Sequence, residues 1–249
     1  MSSLSDLQKD LKKAANKNKA DILQRFFKTG PGDYGAGDVF LGITVPKQRE
    51  IVKKYAIKLE FPDIQKLLDS KIHESRLIAL LILVDKYEQD KNAVRRQKIV
   101  DFYLKNTKRI NNWDLVDLSV YKILGDWLLI NQEKTKILDK LALSKNLWER
   151  RIAIISTYAF LKKGETAQTI RLAEKLLGDS HDLIHKAVGW MLREMGKRVS
   201  EPELLKFLDK NKAKMPRTAL RYALERLTPE QREYYLKKQW FKPNFIVVF

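Results

Sequence analysis

Trp113 and Asp117 are the two side chains in this sequence whose types and spacing best suit joint chemistry. They lie four residues apart, and on a helix that spacing places both side chains on one face. Asn112 fits an N-cap, so we expect the pair in the first turns of its helix. An indole face attracts a cation, and a carboxylate stabilises developing positive charge. The pair therefore favours chemistry on a cationic group.

The second informative feature is a large excess of positive charge. The 249 residues include 49 Lys and Arg against 31 Asp and Glu, which gives a formal net charge of +18. Such an excess favours anionic partners, nucleic acid first and acidic membrane or protein surfaces next. Taken with the indole and carboxylate pair, it suggests chemistry on a cationic group attached to a polyanion. On charge alone, a solvated basic surface without an anionic partner is the alternative.

Composition excludes several classes of site. Hydrophobic residues make up 44% of the chain, which is typical of a globular protein, and there is no Cys. The absence of Cys excludes disulfides, thiolate nucleophiles, iron–sulfur clusters and Cys-ligated zinc, and it fits a reducing compartment. The first residues are polar, and the longest apolar run, Leu77 to Val84, is too short to span a bilayer. We therefore expect a cytoplasmic protein, nucleoid-associated if bacterial, with no membrane partner and no obligate protein partner.

Nearly every segment has hydrophobic residues at helical period. Ser5 and Gln8 form a possible capping box for a first helix, and Thr44-Val45-Pro46 predicts the start of another. The final run, Phe245 to Phe249, is the one β-like segment. The pattern predicts further helices at residues 62–69, 74–89, 92–105, 113–129, 132–142, 146–162, 165–178, 182–195, 202–210, 216–226 and 229–238.

A repeat is visible in segments that begin at Ser70, Ser144 and Ser180, each of which opens an apolar helix. The first spacing, 74 residues, is close to twice the second, 36 residues. A unit of about 36 to 38 residues with two helices is typical of HEAT or armadillo arrays. We predict one all-α domain over residues 1–249, a HEAT-like α-solenoid of antiparallel helix pairs with a concave basic groove. The tail at residues 240–249 has no assignment.

The inner helices of such an array would line the groove with their first residues. Beyond the helix of Trp113, they would contribute Trp148, Arg150, Arg151, Lys186, Trp190 and Arg193. Each residue also has an ordinary structural explanation, because Trp in helical arrays is mostly core and an Asp near a helix N-terminus interacts with the helix dipole. Asp114 fits that dipole role well, whereas Asp117, one turn further along, fits it less well.

Four segments resemble AlkD-like DNA glycosylases of the DNA alkylation repair family. They are Gly35–Pro46, Asn112–Asp117, Leu147–Ala153 and Lys186–Glu194, and the last is the most specific. The resemblance extends from about residue 25 to about residue 225. It implies a HEAT-like fold and excision of alkylated purines that bear positive charge, such as N7-methylguanine and N3-methyladenine. It also implies excision without flipping the base into a pocket, in contrast to ordinary glycosylases.

The resemblance also implies roles for individual residues. Asp117 would be the catalytic carboxylate, Trp113 and Trp190 would flank the lesion nucleotide, and Arg151 would hold DNA near it. Further candidates for DNA binding are Arg49, Trp148, Arg150, Lys186 and Arg193. We predict no metal, because His181 and His185 have a suitable i, i+4 spacing but lack an evident third ligand. We also predict no cofactor.

Elementary chemistry supports the same function. A purine with a positive charge is already a good leaving group, so the enzyme needs no strong general acid. What remains is to stabilise an oxocarbenium-like sugar and to place a water, and one carboxylate suits both tasks. The sequence therefore predicts a cofactor-free glycosylase that acts on double-stranded DNA with alkylated bases.

Two alternatives stay open at the level of the sequence. One is a non-catalytic relative that binds distorted or branched DNA, and the retained Asp117 and both tryptophans argue against it. The other is a protein-binding HEAT scaffold, and the basic excess argues against that.

Overall fold

Helices account for the regular structure in the computed structural model, which describes residues 3–237. Within that range there is no strand, only an isolated parallel bridge between Val39 and Ile72. The helices are α1 (Ser3–Ala14), α2 (Lys17–Phe26), α3 (Val45–Tyr55), α4 (Phe61–Leu68), α5 (His73–Gln89), α6 (Ala93–Lys105), α7 (Trp113–Asp117), α8 (Asp126–Ile130), α9 (Lys136–Ala142), α10 (Leu147–Ser156), α11 (Tyr158–Leu161), α12 (Ala167–Leu176), α13 (Asp182–Arg198), α14 (Glu201–Asn211), α15 (Arg217–Ala223) and α16 (Pro229–Leu236).

The chain divides into two compact units at Phe160 and Leu161. In the first unit, α3 and α4 pack against α5, and α10 packs against α7 and α9. Helix α5 contains the apolar run predicted from the sequence and is buried along most of its length. In the second unit, α13 packs against α12, α14 and α15.

The predicted fold class, an all-α array of HEAT-like helix pairs, is confirmed. The single domain over the whole chain stays a prediction. So does the concave groove, which depends on how the two units are placed. None of the described helices is long and apolar enough to cross a membrane. The apolar run at Phe245–Phe249 lies outside the described residues.

Two predictions at the N-terminus were wrong. The first helix begins at Ser3, so Ser5 lies inside it and does not open it as a capping box. Helix α2, Lys17–Phe26, was not predicted, because most of its residues are polar or charged, and in the structure none of its side chains is fully buried. It begins with an N-cap, since the Asn16 side chain accepts a hydrogen bond from the Lys19 N–H at 3.0 Å.

Two long predicted helices are interrupted. The segment 113–129 contains α7, a π-helical turn at Tyr121–Gly125 and then α8, and the segment 146–162 is divided between α10 and α11. At each break a hydroxyl donates back to a backbone carbonyl, Ser119 to Leu115 at 2.5 Å and Thr157 to Ile154 at 2.7 Å. Such bonds compete with the helical ladder and bend helices. Periodicity alone does not reveal them.

Candidate functional site

Helix α7 presents Trp113 and Asp117 at its two ends. The Asn112 side chain accepts the Trp113 N–H at 2.8 Å, as the predicted N-cap requires. Both Trp113 and Asp117 are partly exposed, whereas Leu115 and Val116 between them are fully buried. The buried residues fix α7 against the core, so that its opposite face is left for the indole and the carboxylate.

Arg151 holds the Asp117 carboxylate in a bidentate ion pair. Its Nε donates to Oδ1 at 2.9 Å and its Nη2 donates to Oδ2 at 2.7 Å. The pair joins α10 to α7, and Arg151 is only 5% exposed. A planar guanidinium matches a carboxylate in this way and fixes its orientation as well as its charge. Arg151 was predicted to hold DNA, and the structure shows it against Asp117 instead of in solvent; contact with DNA stays a prediction.

The environment of Asp117 changes its acidity in two opposed directions. Burial raises the pKa of the Asp117 carboxyl above its usual value, and the charge and hydrogen bonds of Arg151 oppose that rise. The negative charge of Asp114 adds a smaller rise. Because two parallel hydrogen bonds from one guanidinium need two acceptor oxygens, the geometry requires the ionised carboxylate. Asp117 is therefore a partly desolvated anion that is fixed in place.

One face of the Trp113 indole is covered by Phe27. The two rings are stacked, with centroids 5.0 Å apart and an angle of 8° between their planes. Phe26 meets the same indole edge-on at 6.0 Å and is itself 62% exposed. The sequence analysis missed both phenylalanines. The signal that could have found them is the adjacent pair Phe26-Phe27, a few residues before the glycine-rich segment Gly30–Gly37.

The glycine-rich segment after Phe27 packs close to this site. A Cβ on Gly35 would lie 2.5 Å from the Phe27 carbonyl oxygen, so only glycine fits there. Tyr34 in this segment meets Trp148 edge-on at 6.1 Å. Trp148 is buried, at 7% exposure, which fits a core residue better than an open DNA-binding surface. Its role in DNA binding stays a prediction.

Trp190 lies on α13 in the second unit and is partly exposed. Its neighbour Gly189 is where α13 approaches α15, because a Cβ there would lie 2.4 Å from the Ala219 carbonyl oxygen. Arg193 forms ion pairs with Glu225 and Glu194, and Lys186 pairs with Asp182 at 2.8 Å. To bind a phosphate, each of these two basic side chains would have to leave its carboxylate partner or contact the carboxylate and the phosphate together.

The remaining candidates for DNA or metal binding either contact nearby residues or are exposed to solvent. Arg150 donates to the backbone carbonyls of Ser144 and Lys145, at 3.0 and 3.2 Å. Arg49 is exposed on α3. His181 caps α13 by accepting the Leu183 N–H at 3.1 Å, and His185 lies 2.5 Å from the Asp179 carbonyl oxygen.

Comparison with solved structures places the fold in a known class. A structure described as a predicted DNA alkylation repair enzyme from Enterococcus faecalis superposes with a TM-score of 0.67 at 16% sequence identity. The match covers 86% of this chain and 97% of that one. At such low identity, the likeness shows the fold alone. None of the curated proteins matches the chain.

The sequence itself shows the family. The family model for DNA alkylation repair enzymes matches residues 7–227, which is most of the chain. The protein therefore belongs to the DNA alkylation repair enzyme family, and its role is in the repair of alkylated DNA.

Proposed function

We propose that this protein is a DNA glycosylase, which hydrolyses the N-glycosidic bond of purines that carry a positive charge from N3 or N7 alkylation. The observation that supports this most directly is the Asp117 carboxylate, fixed bidentately by Arg151 at 2.7 and 2.9 Å, one helical turn from a partly exposed indole. A structural ion pair would need neither the aromatic neighbour nor the partial exposure of Asp117.

The reaction makes modest demands on the protein. The bond between the sugar carbon and the purine nitrogen breaks, and its electron pair neutralises the cationic purine, which leaves as a neutral base. Positive charge develops on the sugar, and the Asp117 carboxylate stabilises it. A water then adds to the sugar carbon, and its proton passes to Asp117 or to solvent. Contact with the partly exposed indole of Trp113 would favour a cationic nucleotide over a neutral one by about 0.5–2 kcal/mol.

Other parts of the proposal rest on the resemblance noted in the sequence. We propose that the substrate is duplex DNA and that the lesion is cut without leaving the base stack. Trp190 would contact the lesion nucleotide, and the candidates Arg49, Trp148, Arg150, Lys186 and Arg193 would contact the duplex. Fluorescence of 2-aminopurine placed next to the lesion on the same strand tests the absence of flipping, because a flipped lesion unstacks its neighbour and brightens it.

The decisive test is release of free base from duplex DNA that contains N7-methylguanine, measured under single-turnover conditions. The variant Asp117→Asn keeps the shape of the side chain but cannot stabilise positive charge. We expect excision to fall by at least about 100-fold, with DNA affinity within about twofold of wild type. The matched control is Asp101→Asn, an exposed carboxylate on α6 whose loss should leave the rate unchanged. Equal rates for wild type and Asp117→Asn would remove Asp117 from the mechanism.

One observation favours the non-catalytic alternative. Both oxygens of Asp117 already accept hydrogen bonds from Arg151, so the pair could simply join α7 to α10. In that case wild type would bind lesion-containing duplex tightly and release no base. A protein-binding scaffold would show neither property at physiological salt.

A further inference from the structure

A second cluster of charged side chains lies buried behind α7. His73, at the start of α5, is 2% exposed and is held between two carboxylates. Its Nδ1 lies 2.9 Å from an oxygen of Asp38, and its Nε2 lies 2.8 Å from an oxygen of Asp114. Arg76, one turn further along α5, lies 2.6 Å from the other Asp38 oxygen. The cluster therefore joins three parts of the first unit: α5, the segment before α3, and α7.

The geometry fixes the charge state of His73. A neutral imidazole has one N–H donor and one bare nitrogen, and a bare nitrogen would face a carboxylate oxygen at less than 3 Å without a proton between them. Both ring nitrogens must therefore donate, so His73 is an imidazolium. With His73 charged, two cations balance two anions inside the core. The proposed chemistry at Asp117 does not use this cluster.

Stability alone does not explain such a cluster. Taking four charges out of water costs several kcal/mol for each ion, and buried ion pairs often contribute no more than apolar residues of similar volume. What they can fix is orientation, because charged hydrogen bonds are directional whereas apolar packing is not.

The first connection from His73 leads to Trp113 through α7 itself. Asp114 follows Trp113 directly, and its second oxygen accepts the Leu115 N–H at 2.9 Å. Asn112 precedes Trp113, caps it and also donates to Asp38 at 3.3 Å. The residues on both sides of the indole are therefore tied to the same buried cluster.

The second connection is a stack of rings. His73 stacks on Phe40 at 4.4 Å, Phe40 stacks on Phe27 at 4.9 Å, and Phe27 stacks on Trp113 at 5.0 Å. A charged imidazole at one end of an aromatic stack gains a cation–π attraction that holds the first ring. Trp113 is thus held on one face by the Phe27 ring and, through its neighbours Asn112 and Asp114, by hydrogen bonds to the buried charged cluster.

A pocket lies beside the stack, so these rings are not packed against other side chains on every side. It has a volume of about 180 Å³, and His73, Phe27, Phe40 and Asp114 all contribute to its wall. Space of this size would let the phenylalanine rings shift if the charged end of the stack were lost. The buried cluster is what opposes that movement.

We propose that His73 is a positioning residue: through Asp114 and through the Phe40–Phe27 stack, it sets the orientation of the Trp113 indole beside Asp117. The expected effect of His73 on the excision rate rests on the proposed function, whereas its effect on the orientation of Trp113 does not. His73 would contact neither substrate nor DNA. Its loss should therefore lower the rate of the chemical step and leave DNA affinity unchanged.

The first measurement reads the orientation directly, without activity. In protein labelled with 5-fluorotryptophan, the Trp113 resonance is assigned by its absence in Trp113→Phe. We expect His73→Gln, which cannot donate to both carboxylates, to shift or broaden the Trp113 resonance and to leave that of Trp190, in the second unit, in place. The matched control is Tyr87→Phe, a fully buried residue on the same helix that loses its hydrogen bond to Asp126. It should leave Trp113 unchanged.

The second measurement is a double-mutant cycle on the single-turnover rate. His73→Gln should slow base release by roughly 10- to 100-fold, with DNA affinity within about twofold of wild type. In a Trp113→Phe background, the same substitution should slow it by less than about threefold, because the residue it positions is gone. If His73→Gln does not fold, Asp114→Asn replaces it, since the amide oxygen can still accept the Leu115 N–H while the amide nitrogen, a donor, cannot accept from His73.

The possible results separate the two proposals. An unchanged Trp113 resonance, or an equal loss of rate in both backgrounds, would overturn the role of His73. An equal loss of rate in Tyr87→Phe and His73→Gln would also overturn it, because the loss would then reflect reduced stability of the fold and not the orientation of Trp113. If wild type releases no base, the proposed function fails, and the fluorine resonance of Trp113 still decides whether His73 positions it.

Discussion

At the scale of single residues, the surroundings of Asp117 determine what it can do. Burial alone would favour a neutral carboxylic acid, which could not stabilise a cationic sugar. Arg151 counteracts this by pairing with both oxygens, while the partial exposure of Asp117 leaves the carboxylate open to a substrate. Removing one partner of a buried pair leaves the other charge uncompensated, which typically costs 3–5 kcal/mol. The two residues are best tested as a unit.

Arg151→Gln should change the pH dependence of the excision rate on the acid side. The rate requires ionised Asp117, so it should fall as pH falls through the pKa of Asp117, which burial already raises above its usual value. Because Arg151 opposes that rise, its loss should raise the pKa further and shift the midpoint to higher pH. Single-turnover rates from pH 4 to pH 8, about the range in which the shift would be visible, give the midpoint. Arg109→Gln, which breaks a surface pair with Asp69, is the control that should not shift it.

Trp190→Leu distinguishes contact with a lesion from packing. If the indole meets a cationic nucleotide, excision of N7-methylguanine should slow by about five- to thirtyfold, more than for any neutral lesion that is cut. If Trp190 is only core, the variant should lose a few kcal/mol of stability with the rate intact at a permissive temperature. Trp127→Leu serves as the packing control, since Trp127 is 7% exposed. Thermal midpoint and rate are measured on the same preparation.

At the scale of elements, α7 is too short to hold its own geometry. It has five residues, far fewer than an isolated helix needs in water, so its position comes from tertiary contacts. Arg151 on α10 holds one end, and the His73 cluster on α5 holds the other. The same cluster makes the first unit sensitive to pH.

The stability of the first unit should fall at alkaline pH. Burial lowers the pKa of His73, but hydrogen bonds to Asp114 and Asp38, with Arg76 opposing, raise it to about 9. A histidine with a raised pKa stabilises the folded state fully below the unfolded value near 6.5 and loses that contribution as pH rises through about 9. The shift corresponds to about 3 kcal/mol. At the acid end, Asp38 acts in the opposite sense, because its pKa is lowered and its contribution is lost as pH falls.

This effect is measured by hydrogen exchange of the backbone amides in α5 and α7, recorded in the presence of urea at a series of pH values. Wild type should lose protection between pH 7 and pH 9.5, roughly the interval set by the raised pKa. His73→Gln should show no such loss, whereas His185→Gln, in the second unit, should behave as wild type in α5 and α7. A wild-type profile that stays flat across this interval would mean that His73 is not an imidazolium in the folded protein.

At the scale of the whole molecule, the net charge of +18 controls the approach to DNA. Several individual basic side chains are engaged locally, since Arg193, Lys186 and Arg95 each pair with a carboxylate of the folded protein. Net charge still attracts a polyanion from a distance, because paired residues contribute little and the excess remains. The position of each lysine and arginine on the protein surface determines whether it contacts a phosphate.

Binding to undamaged duplex should weaken steeply with salt. If about six phosphates are contacted, affinity should fall by roughly 1,000-fold between about 50 and 200 mM monovalent salt. Arg49→Gln, an exposed candidate on α3, should reduce the log–log slope by about one. Arg95→Gln removes an equal charge that is already bound to Asp90 at 2.6 Å and should leave the slope nearly unchanged. Equal slopes for all three proteins would exclude Arg49 as a phosphate contact.

Sequence patterns were sufficient to predict most of the local features. Helical periodicity gave the all-α class because each helix buries an apolar stripe, and the Asn112 cap and the i, i+4 spacing put Trp113 and Asp117 on one short helix. The resemblance of a few segments indicated the family, which the match over residues 7–227 shows. Each of these signals lies within a few neighbouring residues, where sequence order and spatial order coincide.

The surroundings of those residues depend on contacts between distant segments, which sequence patterns do not reveal. Arg151 lies 34 positions from Asp117, Asp114 lies 41 from His73, and Phe27 lies still further from Trp113, so no spacing rule joins them. Two segments of unbroken periodicity are interrupted where the hydroxyls of Ser119 and Thr157 donate to backbone carbonyls. Helix α2 formed without burying a side chain. Charge pairing, ring stacking and helix ends of this kind depend on which segments meet, and that depends on the packing of the whole unit.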